Sequence, residues 1–444
     1  MFPHQQLHHQ EHCTPKCRQK NRRIRPLPAT PSSSTMSLPS FQLPAHTAAN
    51  VADAIHEKVR GMLSHSRLVR QADGIHLVGP EDIWKVERQL GAGAFSQVSE
   101  VTAMDGRRYA CKHLKEDLLT RPDEFQIAAT ELAYEAHMMS SFDHPNILKI
   151  RGWAQNGISS FENGRHDSFF LLLDLLDETL DQRIERWNQG QAFLDQRTAN
   201  IRLLEKIQIL TEIASALDYV HEHGVIFRDL KPNNIGLLNG TVQLFDFGLS
   251  RELPALDTQT PFQMSGKVGT IRYMAPEVVL HQPYNISADV YSWTMVAYEV
   301  LTGEKPFSGW TPQMYTEYVC HRGMRPDLSS VSHVELQMLL QHCWQGNACQ
   351  RPTFKQIIAQ LSLFHEQHRL MIEEQDLQHQ MLLQQQQFQL QQQQHQILEP
   401  DFYIELNDMS MLQDNCHYVA CTNGRGNSVG TQETESISAA SLGW

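Results

Sequence analysis

Residues Val225 to Ser250 read Val-Ile-Phe-Arg-Asp-Leu-Lys-Pro-Asn-Asn-Ile-Gly-Leu-Leu-Asn-Gly-Thr-Val-Gln-Leu-Phe-Asp-Phe-Gly-Leu-Ser. The stretch sets two carboxylates (Asp229, Asp246), a lysine (Lys231) and an amide (Asn234) where apolar runs give way to loops. Turn chemistry accounts for Pro232 to Asn234 and for Asn239-Gly240, a dipeptide suited to a two-residue hairpin. It does not account for an apolar run, Val242 to Phe245, that ends on an aspartate followed by Phe-Gly. Asp and Asn supply hard oxygen ligands for a divalent cation, and Lys supplies a point charge for an anion.

Asp229, Lys231, Asn234 and Asp246 match, residue by residue, the catalytic loop and Asp-Phe-Gly segment of eukaryotic protein kinases, and the chain resembles that family here. The resemblance implies phosphoryl transfer from Mg-ATP. That reaction needs an acceptor for the attacking hydroxyl's proton, metal ions on the phosphate oxygens and positive charge near the transferring group. It implies Asp229 as catalytic base, Lys231 at the γ-phosphate, Asn234 as a ligand of one Mg²⁺ and Asp246 as the principal metal ligand. One departure is visible: Phe227 stands where the family has histidine. The aromatic ring is kept, so packing against Phe247 is expected to survive, while a polar contact to the nearby backbone is lost.

Upstream, a strand from Trp84 through Leu90 runs into Gly91-Ala92-Gly93-Ala94-Phe95-Ser96-Gln97-Val98. Glycines here let backbone N–H groups approach phosphate oxygens with no Cβ in the way. The segment resembles the kinase glycine-rich loop, with Ser96 in place of the third glycine. Next comes Tyr109-Ala110-Cys111-Lys112; by resemblance Lys112 clamps the α and β phosphates and Ala110 covers the adenine. Such a lysine needs a glutamate on the following helix. The helix is expected over 125–142, with Glu135 favoured as the partner and Glu131, one turn earlier on the same face, as the competitor. Strands are expected over 148–152 and 169–173. By resemblance Leu173 is the gatekeeper, and the backbone of Asp174 and Leu176 meets the adenine edge.

Downstream, Leu203, Ile207, Leu210, Ile213, Leu217 and Val220 fall at three–four spacing, the mark of a long buried helix. The loop from Leu249 to Ala275 carries Thr258, Thr260, Ser265 and Thr270. Arg228 is suited to pair with a phosphate placed there, so phosphorylation of this loop is expected to govern activity. Lys231 with Gly269-Thr270 resembles the serine/threonine-specific pattern. Ser287 reads as a helix cap, followed by Asp289, which in the family anchors the catalytic loop from below. Cys343-Trp344 and Arg351-Pro352-Thr353-Phe354 resemble the last block of tyrosine-kinase-like serine/threonine kinases, in which Arg351 would pair with Glu277.

The expected fold is α+β and two-lobed: an antiparallel β-sheet with one regulatory helix, then a mostly helical lobe, with the kinase domain over 81–364. Before it, 1–49 reads as a disordered arm, since its Pro/Ser/His/Gln composition cannot bury enough apolar surface to order itself. The arm's cluster of Lys16, Arg18, Lys20, Arg22, Arg23 and Arg25 fits a nuclear-import or organelle signal as well as a solvated tail. His8, His9, His12, Cys13 and Cys17 lack the second ligand pair a metal site needs. Val51, Ile55, Val59, Met62 and Leu68 predict a helix from Asn50 to about Gln71 within a helical extension, 50–80. After the domain, 365–398 reads as a Gln-rich helix whose leucines at 363, 370, 377 and 398 share a seven-residue register interrupted by Gln384 and Gln391, which fits self-association or a solvated low-complexity helix, and 399–444 reads as a disordered tail.

With 50 Asp+Glu against 37 Lys+Arg, the acidic balance argues against nucleic acid as a partner. Eight cysteines without repeated spacing suit a reducing compartment, and no apolar run approaches the roughly 20 residues of a membrane span. A cytoplasmic protein acting on protein substrates is the expectation. The rival reading is a pseudokinase scaffold, resting on Ser96 and Phe227 alone.

Overall fold

In the computed structural model, which describes residues 42–68, 76–190, 195–254, 260–265 and 269–398, the apolar spacing of Val51, Ile55 and Val59 closes into helix α1 (Ala45–Leu63). The helix starts at Ala45, ahead of the expected Asn50, because Ala45, Ala48 and Ala49 are strong helix formers behind Pro44 at the cap. It ends at Leu63, short of the expected Gln71, and Ser66 and Arg67 beyond it bond Glu252 instead. It packs on helix α2 (Pro122–Ser140) and on a 3-10 turn over Gly157–Asn163.

A six-stranded sheet follows: β1 (Leu77–Val78), β2 (Ile83–Ala92), β3 (Ser96–Ala103), β4 (Arg108–Leu114), β5 (Ile150–Ala154) and β6 (Leu171–Leu173). Their spatial order is β1-β5-β6-β4-β3-β2. Pairing is antiparallel except at the β1 edge, where Leu77 lies parallel to Trp153. The expected antiparallel sheet therefore gains one parallel strand. Gly152 permits the approach, since a Cβ there would stand 2.5 Å from Val78 Cγ2 and 2.9 Å from the His76 carbonyl. Helix α2 opens with Pro122 at the first helical position and Asp123 and Glu124 in its first turn, as the macrodipole and orphan N–H groups favour.

The larger lobe begins with β7 (Glu178–Thr179), α3 (Leu180–Gln189), entered through a Thr179/Gln182 capping box, and α4 (Gln196–Glu222). Short strands β8 (Val225–Ile226), β9 (Ile235–Leu238), β10 (Thr241–Leu244) and β11 (Arg251–Glu252) then carry the opening stretch. β9 and β10 form the hairpin expected from Asn239-Gly240, whose φ angles are 51° and 80°, the pair of positive values a type I′ turn requires. Helices α5 (Pro276–Val279), α6 (Ser287–Thr302), α7 (Pro312–Met314), a π-helical turn over Tyr315–His321, α8 (Val334–Cys343) and, up to Arg369, α9 (Phe354–Leu398) complete it.

Helix α6 is buried from Ser287 to Val300 and forms the centre of this lobe. The expected serine cap is corrected: Ser287 is already helical, and Asn285 Oδ1 accepts from its N–H at 3.0 Å and its hydroxyl at 2.6 Å. Beside it, Arg351 Nη1 and Nη2 donate to Glu277 Oε1 and Oε2 at 2.6 and 2.9 Å, the predicted buried pair. Phe354, Ile357, Leu361 and Phe364 of α9 are buried, whereas Leu377 and Phe388 are exposed. No described helix is long and apolar enough to cross a membrane. The readings of 1–41, with their basic and His/Cys clusters, of Thr258 and of 399–444 lie outside the described residues.

Candidate active site

The β2–β3 hairpin sets Gly91 opposite Val98 and Ala92 opposite Gln97, and closes with Gly93 N–H donating to the Ser96 carbonyl at 2.8 Å. Ala94 and Phe95 form its tip, where the Phe95 carbonyl accepts from Lys115 N–H at 3.0 Å. A Cβ at Gly91 would meet nothing within 4 Å, so that face is open to a ligand. Ser96, in the place of a third glycine, tucks its hydroxyl against Gly93, 3.2 Å from where a Cβ would be.

Strand β4 lies between β3 and β6, so Lys112 stands opposite both Val98 and Leu171, and Ala110 opposite Leu173. The buried Lys112 Nζ donates to Glu135 Oε2 and Oε1 at 2.7 and 2.8 Å and to Asp246 Oδ1 at 3.0 Å. The partner on α2 is thus Glu135 rather than Glu131. Burial alone would lower the Lys112 ammonium, but Asp246 and Glu135 together push it above the usual lysine range. Lys112 in turn holds the Asp246 carboxyl below the usual range. Asp246 has φ 66° and ψ 66°, a left-handed backbone that costs a non-glycine residue on the order of 1 kcal/mol.

The Asp229 carboxylate is fixed from three sides. Oδ2 accepts from Lys231 Nζ at 2.6 Å and Asn234 Nδ2 at 3.1 Å, and Oδ1 accepts from Thr270 N–H at 3.1 Å. Burial raises its pKa, with Lys231 pulling the other way. Gly269 has φ +99°, and a Cβ there would stand 2.8 Å from Asp229 Oδ1, so only glycine fits beside this carboxylate. Asp289, fully buried on α6, accepts from the N–H groups of Phe227 and Arg228 at 2.8 Å each and lies 2.8 Å from His221 Nε2. Phe227 meets Phe247 edge-on, centroids 5.0 Å apart, so the aromatic packing expected there is present.

Residues 84–362, more than half of the chain, match the family described as the protein kinase domain. The chain belongs to the protein kinase family. It is similar to serine/threonine-protein kinase STY17 of Arabidopsis thaliana, 34% identical over 63% of this chain and 44% of that protein. Serine/threonine/tyrosine-protein kinase HT1 of the same plant is 38% identical over 36% of this chain and 40% of its own length. Mitogen-activated protein kinase kinase kinase 3, also from Arabidopsis thaliana, is 28% identical over 74% of this chain and 55% of that protein. The chain thus spans about half or less of the relatives' length.

Protein kinases in general use ATP with Mg²⁺, and the donor set of this kinase domain fits both. Asp246 offers carboxylate oxygens. Asn234 commits its Nδ2 to the Asp229 carbonyl at 2.9 Å and carboxylate at 3.1 Å, which leaves the amide oxygen as the donor to a hard cation. In the segment after β6, Asp174 accepts from Arg151 Nε and Nη2 at 2.7 Å each. Leu176 Cδ1 lies 2.4 Å from where a Cβ on Gly236 would be. Arg228, at φ 73°, donates to the Leu249 carbonyl at 2.6 Å, Ser265 Oγ at 3.0 Å and the Tyr284 hydroxyl at 3.1 Å. Ser265, among the loop hydroxyls singled out in the sequence, accepts from it.

Sequence reasoning missed Arg251 and Glu252. The Arg251 guanidinium lies 5.1 Å over the Tyr134 ring, next to Glu135, and Glu252 is gripped by Ser66 and Arg67. No local signal marks a contact that spans 185 residues of chain.

Proposed function

We propose that the chain is a serine/threonine protein kinase that transfers the γ-phosphate of ATP to protein hydroxyls. The observation that carries this reading is the Lys112 ammonium set within 3.0 Å of both Glu135 and Asp246. Asp229 on the facing loop is oriented by Lys231, Asn234 and Thr270. In this reading the backbone of Gly91 to Phe95 and Val98 cover the nucleotide, with Ala110 and the backbone of Asp174 and Leu176 at the base. Lys112 binds its phosphates, oriented by Glu135. Asp246 and Asn234 hold Mg²⁺, which neutralises phosphate charge.

Asp229 takes the proton of the attacking hydroxyl, and its raised pKa makes it a better acceptor than an exposed aspartate. Lys231, 2.6 Å from that carboxylate, places positive charge where the transferring group passes. Arg228 serves as the receiver of a phosphate on Ser265, because its present partners on that side are neutral hydroxyls. The names of the relatives include both serine/threonine and dual-specificity kinases, and Lys231 with Thr270 favours serine and threonine here. Purified protein given ATP, Mg²⁺ and a generic protein substrate should yield phosphoserine and phosphothreonine, and Asp229→Asn should abolish transfer with the melting temperature retained. Equal activity in that variant would remove the assignment.

A further inference from the structure

We propose that residues 42–68 form a built-in brace that positions Glu135 and the start of the activation segment, with Glu252 as its latch. The inference deepens the kinase reading and rests on it for the roles of Lys112 and Glu135.

The brace is anchored at both ends. At its start Leu43 N–H donates to the Gly164 carbonyl at 3.0 Å, and Gly164, φ +75°, leaves no room for a Cβ, which would stand 2.6 Å from the Leu43 carbonyl. Between the anchors, Val51, Ala52, Ile55 and Val59 are buried in the face that α1 sets on α2 and the Gly157–Asn163 turn. That turn is itself tied to α2, where Phe161 meets Phe125 edge-on at 5.5 Å. At its end Leu68 is buried, and the two residues before it close on one carboxylate. Ser66 Oγ donates to Glu252 Oε2 at 2.7 Å, and Arg67 N–H and Nε both donate to Oε1 at 2.9 Å. Arg67 Nη2 adds the Leu253 carbonyl at 2.9 Å.

An exposed Arg–Glu pair contributes little. Here the Glu252 side chain is only 13% exposed and receives a backbone N–H, a hydroxyl and a guanidinium, a charge-assisted set of the stronger kind. Glu252 sits on β11, opposite Val225 of β8, two residues ahead of Phe227. Its neighbour Arg251 covers the ring of Tyr134, the residue before Glu135. One short segment thus touches the helix that carries Glu135 and the strand that leads out of Asp-Phe-Gly. Holding both at once stabilises the arrangement in which Lys112 reaches Glu135 and Asp246.

The test uses the full chain with Arg67→Ala, Glu252→Ala, the double variant and, separately, Ile55→Asp. Amide exchange over Pro122–Ser140 and Arg251–Glu252 should quicken about tenfold in each, the scale of losing a charged hydrogen bond. The turnover number should fall by a similar factor with KM for the peptide unchanged. The double variant should lose less than the sum of the two singles, since they share the Arg67–Glu252 contact, and Arg67→Lys should restore part of the loss. If Ile55→Asp fails to fold, the Arg67 and Glu252 variants decide alone. Unchanged exchange in those folded variants overturns the brace even where the protein phosphorylates its substrate. Quickened exchange in a chain that transfers no phosphate would leave the brace standing and remove the kinase reading.

Discussion

Replacing Glu277 by glutamine should remove a large part of the stability of the helical lobe while leaving every catalytic group in place. Arg351 has a fully buried guanidinium, and its donors are taken by both Glu277 oxygens at 2.6 and 2.9 Å, the Ser287 carbonyl at 3.0 Å and the Gln345 carbonyl at 2.9 Å. The ring of Tyr291 covers its face at 5.3 Å. Glu277→Gln keeps the shape and one acceptor but leaves that guanidinium without a counter-charge, a change that typically costs about 3 to 5 kcal/mol. Arg351→Met strands the carboxylate instead and also frees the two carbonyls, so it should cost at least as much. For a domain of this size that corresponds to a drop in melting temperature on the order of 10 °C. Urea unfolding followed by tryptophan fluorescence would measure each single variant and the Arg351→Met/Glu277→Gln double. Because the double leaves no unpaired charge, it should be less harmful than the sum of the singles by about 2 kcal/mol or more. Additive losses, or a Glu277→Gln cost below about 1 kcal/mol, would refute the view that charge pairing holds this corner.

Phe227 is fully buried and packs edge-on against Phe247, so Phe227→Ala should destabilise the protein by about 3 to 5 kcal/mol in the same urea assay; a shift under about 1 kcal/mol would mean the ring is not part of the core. The pH profile of turnover should show an acidic limb set by Asp229. Its folded pKa is raised by burial, and the ionised form is the proton acceptor, so activity should rise with pH through a midpoint above the usual aspartate value of about 3.9. Asp246, held low by Lys112, stays ionised across that limb; a midpoint below the usual value would contradict the role given to Asp229.

The charged parts of the site were legible because their chemistry is local. Asp246 follows an apolar strand by one residue, and Lys112 ends a run that the sheet places opposite Val98 and Leu171. Its place in the family's pattern favours Glu135 over Glu131, and Lys112 contacts it at 2.7 Å. What escaped was set by tertiary neighbours. At the start of α6 the side-chain acceptor is Asn285 and Ser287 is its donor, because polar residues on either side of Ile286 can serve and only the entry path of the chain selects one. The parallel edge strand Leu77–Val78 has no periodicity in two residues; its position depends on the room left at Gly152. The grip of Arg67 on Glu252 joins residues 185 apart, a distance over which spacing carries no signal.

Asp289 has a consequence for how the protein is made. The two amides it fixes, at Phe227 and Arg228, precede it by 62 and 61 residues. Synthesis runs from the N-terminus at about 5 to 20 residues per second, so Asp229, Lys231 and Asn234 leave the ribosome seconds before the carboxylate that shapes their loop. Closing a loop of that length is slow relative to local helix formation. A nascent chain therefore carries all the charges of the site before it has their geometry, and the catalytic loop can settle only when α6 docks beneath it.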